Sequence, residues 1–157
     1  MVQKTLAMRL LEGKGVPYEA VTYDDSVRDA EIVAGQLGVA AARVFKTLIV
    51  IRDRGKPFAV MVPAESQLDL KKMARKVGEK KVKMAAHAEA EKLTGLQVGG
   101  ISPLLLINKG FEILIDVSAT EHDKIYISAG EKGINLEVPV TALIELTGAE
   151  FVDVTGS

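Results

Sequence analysis

The sequence predicts one α+β domain, and three observations carry that prediction. Segments of helical and of strand periodicity interleave without a steady strand–helix–strand repeat, which argues against a doubly wound parallel sheet. The second half of the chain is mostly strand-like, whereas the first half mixes both periodicities. A chain of 157 residues, 48% of them apolar, can bury one sizeable core, and no linker, repeat or low-complexity segment divides it, so residues 1–157 are read as one domain.

The elements follow in order. Thr5–Glu12 carries Leu6 and Leu10 at helical spacing, and Gly13 stops it. Pro17–Tyr23 alternates as a strand does. Ser26 with Asp29 three residues on forms a capping pair, which opens a helix through Leu37 that Gly38 closes. Residues 43–51, 52–57 and 58–64 read as strand, turn and strand. A helix over 68–78, a short strand over 80–84 and a helix over 88–95 follow, the helices ending at Gly78 and Gly95. Leu104–Asp116 carries a hairpin signal with Asn108-Lys109-Gly110 as its turn, and Lys124–Val138 carries another that turns at Gly130–Gly133. Pro139 suits the first turn of a helix that Gly148 stops, and Phe151–Val154 is a last strand.

Composition removes several function classes. A net charge of −1 implies no global pull towards nucleic acid or membrane. The absence of cysteine removes disulfides, thiolate metal sites and a cysteine nucleophile together. The apolar runs fall far short of the roughly 20 residues of a membrane span, and the N-terminus lacks the apolar core of a signal peptide. The expectation is a soluble, cytoplasmic protein without a membrane partner. The two histidines, His87 and His122, lack metal-ligand spacing to each other, so neither a metal nor another cofactor is expected.

Three features remain that can carry chemistry. Alternation in residues 44–51 puts Val44, Lys46, Leu48 and Val50 on one face and Phe45, Thr47, Ile49 and Ile51 on the other. Both faces are apolar except for Lys46, an ammonium that must either reach water past the strand end or face a cavity. In Val98–Leu106, Gly99 and Gly100 precede Ser102-Pro103. Such a turn can direct free backbone N–H groups at an anion or a developing oxyanion, or it can be a bulge that starts a strand. Residues 71–83 hold Lys71, Lys72, Arg75, Lys76, Lys80, Lys81 and Lys83 against Glu79 alone. This strip is either a solvated helix face or a contact for a phosphate backbone.

Four motifs recur here in the order and spacing of one family. "FKTL", "LDLKK", "VGGISP" and "YISAGEKG" together resemble the YbaK/EbsC family of free-standing aminoacyl-tRNA deacylases, relatives of the editing domain of bacterial prolyl-tRNA synthetases. "TYDDS" is similar to the tyrosine-containing strand end of that family. The resemblance implies a mixed, partly closed sheet of six or seven strands surrounded by helices. It implies the substrate, a mischarged aminoacyl-tRNA, with cysteinyl-tRNA(Pro) ahead of alanyl-tRNA(Pro), and prolyl-tRNA synthetase as a partner. It also assigns residues: Lys46 to the family's essential lysine, and Gly99 and Gly100 to the loop that faces the aminoacyl carbonyl. Ser102 and Pro103 complete that loop, and Tyr23, Thr47 and Ser128 line the pocket. Lys71, Lys72, Arg75 and Lys76 are then the tRNA contacts. Where the family carries a longer segment with an aromatic, this chain reads "DDSVRDAE" from Asp24 to Glu31, in a region that shapes the amino-acid pocket. Two other readings compete: a non-catalytic aminoacyl-adenosine or synthetase-binding module, and a serine hydrolase in which Lys46 is the base for Ser102.

Overall fold

The computed structural model describes residues 4–27 and 29–156. In chain order its elements are α1 (Leu6–Gly13), β1 (Glu19–Thr22), α2 (Ala30–Leu37), β2 (Phe45–Ile51), β3 (Phe58–Pro63), α3 (Leu70–Val77) and β4 (Lys83–Met84). There follow α4 (His87–Thr94), β5 (Glu112–Asp116), β6 (Lys124–Ser128), β7 (Ile134–Pro139), α5 (Val140–Thr147) and β8 (Glu150–Val152). No helix among the described residues is long and apolar enough to cross a membrane.

The α+β class holds, but the single, partly closed sheet does not. Eight strands form two sheets, one of five in the order β4-β2-β3-β5-β8 and one of three in the order β1-β7-β6. They touch where Val44 bridges Tyr126 in parallel. Beyond that bridge no residue of β6 pairs with β2 among the described residues, so the edge of β2 is left open instead of closing a barrel.

The five-stranded sheet is covered on both faces, as the unbroken apolar run of β3 requires. Ala59 and Met61 of β3 join Phe45, Ile49 and Ile115 in the main core with α1 and α5. On the opposite face Phe58, Val60 and Val62 pack with Val50 against Met73 and Ala74 of α3. A third, smaller cluster holds Val44, Ala64 and Tyr126 beneath Ala34 of α2.

Two local expectations are corrected. The cap of α2 is Asp29, whose Oδ1 accepts from the N–H groups of Glu31 at 2.8 Å and Ile32 at 3.3 Å. Ser26 instead closes a turn, donating N–H and hydroxyl to Asp24 at 3.0 and 2.7 Å. A nearer carboxylate reaches the helix N–H groups, and the competing hydroxyl is satisfied locally. The hairpin expected over Leu104–Asp116 does not form either. Pro103–Leu105 is a 3₁₀ turn, and Glu112–Asp116 is the strand in this stretch. β5 pairs in parallel with β3 on one side and β8 on the other, so no edge remains for a preceding strand. The apolar run signals burial all the same, because Leu104 and Leu106 insert into the main core as a turn.

Candidate functional site

The site forms around the open edge of β2. β3 pairs with β2 along its length, but β4 pairs only with Val50 and Ile51. Ala85 N–H extends the cover by one bond, to Ile49 O at 2.9 Å. Because Val44 O accepts from Ala64 N–H on the β3 side, alternation turns the peptide groups of Phe45 and Thr47 outward, to the uncovered edge. A cleft of about 370 Å³ lies along this edge, within the size range of small-molecule sites.

The cleft has two sides, set by the two faces of β2. On the main-core side Phe45 and Ile49 meet Ala85, Ala90, Val98 and Ile101, an apolar wall. On the other side Lys46 follows Val44 by two residues, as Ser128 follows Tyr126, so the parallel bridge sets Lys46 and Ser128 at one level. Asn135 stands across from Ser128 on β7 and continues that polar row. Ala30 and Val33 of α2 line the cleft on this side.

Lys46 is half-buried, and its Nζ donates to Ala64 O over a long 3.4 Å. One weak carbonyl contact leaves most of the ammonium's donor capacity directed at the cleft. Tyr23 lines the cleft, donates its hydroxyl to Gly99 O at 3.4 Å, and receives its own anchor through N–H to Gly133 O at 2.9 Å. Burial pushes the phenol pKa up, so Tyr23 stays a neutral donor at physiological pH.

The glycine loop is more selective than its sequence. Val98 N–H donates to Glu91 at 2.8 Å, and Gly100 N–H donates to Gln97 O at 2.7 Å. Between them Gly99 lines the cleft at φ +94°, and its N–H has no partner among the described residues. Gly100 is buried and does not line the cleft; a Cβ there would stand 3.2 Å from the backbone of Glu131 and Lys132.

Of the residues singled out in the sequence, Lys46, Thr47, Tyr23, Gly99 and Ser128 therefore meet in one cleft, whereas Gly100, Ser102 and Pro103 stand behind it as supports. Ser102 is fully buried, and its hydroxyl has no hydrogen-bond partner among the described residues, Lys46 included. The Lys46–Ser102 base–nucleophile pair thus has no geometric support. Leaving a hydroxyl unpaired costs about 1–3 kcal/mol. Ser102→Ala is accordingly expected to raise the melting temperature and leave turnover unchanged, measured by thermal unfolding and any ester-hydrolysis assay. A large loss of turnover would restore Ser102 as a reacting group.

The basic residues of α3 lie outside the cleft, on the helix that covers the opposite face of the sheet from α1 and α5. Lys71, Arg75 and Lys76 are exposed. Lys72 is tied down, its Nζ 2.9 Å from Asp153 and donating to Thr155 O at 3.1 Å. It holds α3 to the chain after β8 and is not a free cation.

Sequence reasoning missed three polar lining residues. Asn135 is 5% exposed, and its side chain has no hydrogen-bond partner among the described residues, so it offers amide groups to a ligand. Alternation gave no signal, because it puts Asn135 with Glu137 opposite the apolar Leu136 and Val138. Cover by another element buries Asn135. Asp29 was legible only as a cap, and His87 as the polar start of α4; both line the cleft.

Comparison with known proteins places the whole chain in a family. The family model for the aminoacyl-tRNA editing domain matches residues 24–146. The chain belongs to the aminoacyl-tRNA editing domain family. This editing domain is 36% identical over 155 residues to the "Putative Cys-tRNA(Pro)/Cys-tRNA(Cys) deacylase EbsC" of Enterococcus faecalis, covering 98% of this chain and 94% of that one. Among solved structures it is similar to a hypothetical protein at TM-score 0.85 and 28% identity, covering 94% of this chain and 97% of the other. It shares its fold, at TM-score 0.80 and 24% identity, with a "putative trans-editing enzyme for prolyl tRNA synthetase", covering 96% of this chain and 97% of the other.

Proposed function

We propose that this editing domain is an aminoacyl-tRNA deacylase that acts in trans on mischarged tRNA, with cysteinyl-tRNA(Pro) as substrate and alanyl-tRNA(Pro) as the next candidate. The observation that carries the reading is that Lys46 and Gly99, whose N–H has no partner among the described residues, line one cleft that Ser102 does not line. An aminoacyl ester is already activated, so positioning and charge stabilisation suffice. In the cysteinyl case the substrate's own sulfur attacks its carbonyl carbon. The carbonyl oxygen becomes an oxyanion, stabilised by Gly99 N–H and the Lys46 ammonium. Collapse then breaks the bond to the ribose oxygen, which leaves with a proton, and water opens the resulting thiolactone. With other amino acids the free ribose hydroxyl assists. Tyr23 holds the Gly99 peptide in place through its carbonyl. The name of the Enterococcus relative supports the cysteinyl choice.

The test is a deacylation panel of cysteinyl-, alanyl-, seryl- and prolyl-tRNA. Hydrolysis of cysteinyl-tRNA(Pro), with prolyl-tRNA(Pro) spared, is the expected result. Tight binding without hydrolysis of any member would show a non-catalytic module instead.

Recognition of the tRNA body falls to the exposed basic face of α3 and to prolyl-tRNA synthetase as a partner. Charge reversal of Lys71, Arg75 and Lys76 to Glu should raise KM for whole aminoacyl-tRNA several-fold and flatten its salt dependence. Hydrolysis of a minimal aminoacyl-adenosine should not change. Lys72→Ala should instead cost stability, about 1 kcal/mol or less for a partly exposed pair, without altering the salt slope. Thermal unfolding and a salt titration of binding read the two effects separately.

A further inference from the structure

We infer that Asp29 is the seat of the substrate's α-ammonium group, and so the residue by which this site selects aminoacyl esters with a free amine; the inference rests on the aminoacyl-ester reading above. The argument is one of charge. The cleft already holds an ammonium, Lys46, which has a single long contact to Ala64 O and no carboxylate partner among the described residues. An aminoacyl ester brings a second cation, its α-ammonium, two bonds from the carbonyl carbon. Placing two cations in one partly desolvated cleft is unfavourable unless an anion accompanies them. Asp29 is the one carboxylate among the described residues that line the cleft.

The position of Asp29 suits the role. It begins α2, whose Ala30 and Val33 line the same side of the cleft as Lys46, Ser128 and Asn135. A cation seated at Asp29 therefore keeps the ester beside the Lys46 row. Oδ1 is fixed by the N–H groups of Glu31 and Ile32, which orients the carboxylate. Oδ2 has no hydrogen bond or ion pair among the described residues and can accept from an ammonium.

The test must separate this role from simple helix capping. Asn and Ser cap a helix about as well as Asp, so Asp29→Asn and Asp29→Ser keep α2 and remove only the charge. Wild type and both variants are assayed on the best aminoacyl-tRNA of the panel and on the same tRNA carrying the N-acetylated amino acid. Wild type should prefer the free amine in kcat/KM by about tenfold to a hundredfold, the worth of one charge-assisted hydrogen bond. Both variants should lose that preference by slowing on the free-amine substrate alone. Equal losses on both substrates, or an unchanged preference, would overturn the inference. A second arm measures binding of an amide-linked 3′-aminoacylamino-3′-deoxyadenosine and of its N-acetyl form. Absence of hydrolysis with amine-selective, Asp29-dependent binding would remove the deacylase reading and keep the Asp29 seat. Binding with no amine selectivity, or no binding at all, would remove the seat.

Discussion

Lys46→Ala should abolish most deacylation while the protein stays folded. Among the described residues the ammonium makes one hydrogen bond, to Ala64 O at 3.4 Å, so little native structure depends on it. A neutral or weak hydrogen bond of this kind contributes about 1 kcal/mol or less to stability. Its loss from the reaction is another matter. A positioned charge beside a developing oxyanion acts in a cleft from which water is partly excluded, and removing one such donor typically costs about a hundredfold or more in kcat. Lys46→Arg should recover little of this. The planar guanidinium reaches further than an ammonium and presents its donors in a fixed fork, which Ala30 and Val33 on the same side of the cleft leave little room to turn. Single-turnover deacylation and thermal unfolding on both variants check the two halves of the claim. Wild-type turnover by Lys46→Ala would remove Lys46 from the reaction.

The second large effect is expected at Gly99, and Gly100 serves as its control. At φ +94° a side chain on Gly99 is strained whatever space is available, although its Cβ would have 3.4 Å to the flexible Lys132 side chain. The strain costs on the order of 1 kcal/mol or more. The chain can relieve it only by rotating the peptide groups on either side of Gly99, and with them its unpartnered N–H. Gly99→Ala should therefore lower kcat by about a hundredfold, the usual worth of one aimed donor. Gly100→Ala differs in kind. Its φ needs no glycine, and its N–H is engaged with Gln97 O. The new methyl would press on the Glu131–Lys132 backbone at 3.2 Å, so this variant should lose melting temperature more than turnover. Reversed outcomes for the two variants would move the donor role from Gly99 to Gly100.

Much of this protein was legible without coordinates. Two apolar runs separated by a turn identified β2 and β3, and the glycines after α2, α3, α4 and α5 marked their ends, because left-handed caps strongly favour glycine. The isolated lysine in β2 and the paired glycines also stood out, since each breaks an apolar or regular pattern at a cost that chemistry or special geometry must justify. Strand partners and edge coverage were not legible. Alternation specifies the face of a side chain, not the neighbour of a strand. The hairpin expected before β5 failed on that account; the single, partly closed sheet was what the resemblance implied, and two sheets form instead.

What the sequence determined by itself was local: element types, caps, the apolar stripes, and the presence of one ammonium where none is comfortable. Only the tertiary structure decided that β4 stops short on β2, that β6 leaves β2 after one bridge, and that α2 lies over the resulting gap. Those three facts make the cleft. They bury Asn135 on a face that alternation assigned to solvent, bring Asp29 and Lys46 into one cleft, and divide two adjacent glycines into one that lines the cleft and one that does not. The physical reason is one of range. Propensity and periodicity act over a few residues, whereas a cleft is the space left over when distant segments satisfy their hydrogen bonds and apolar faces elsewhere.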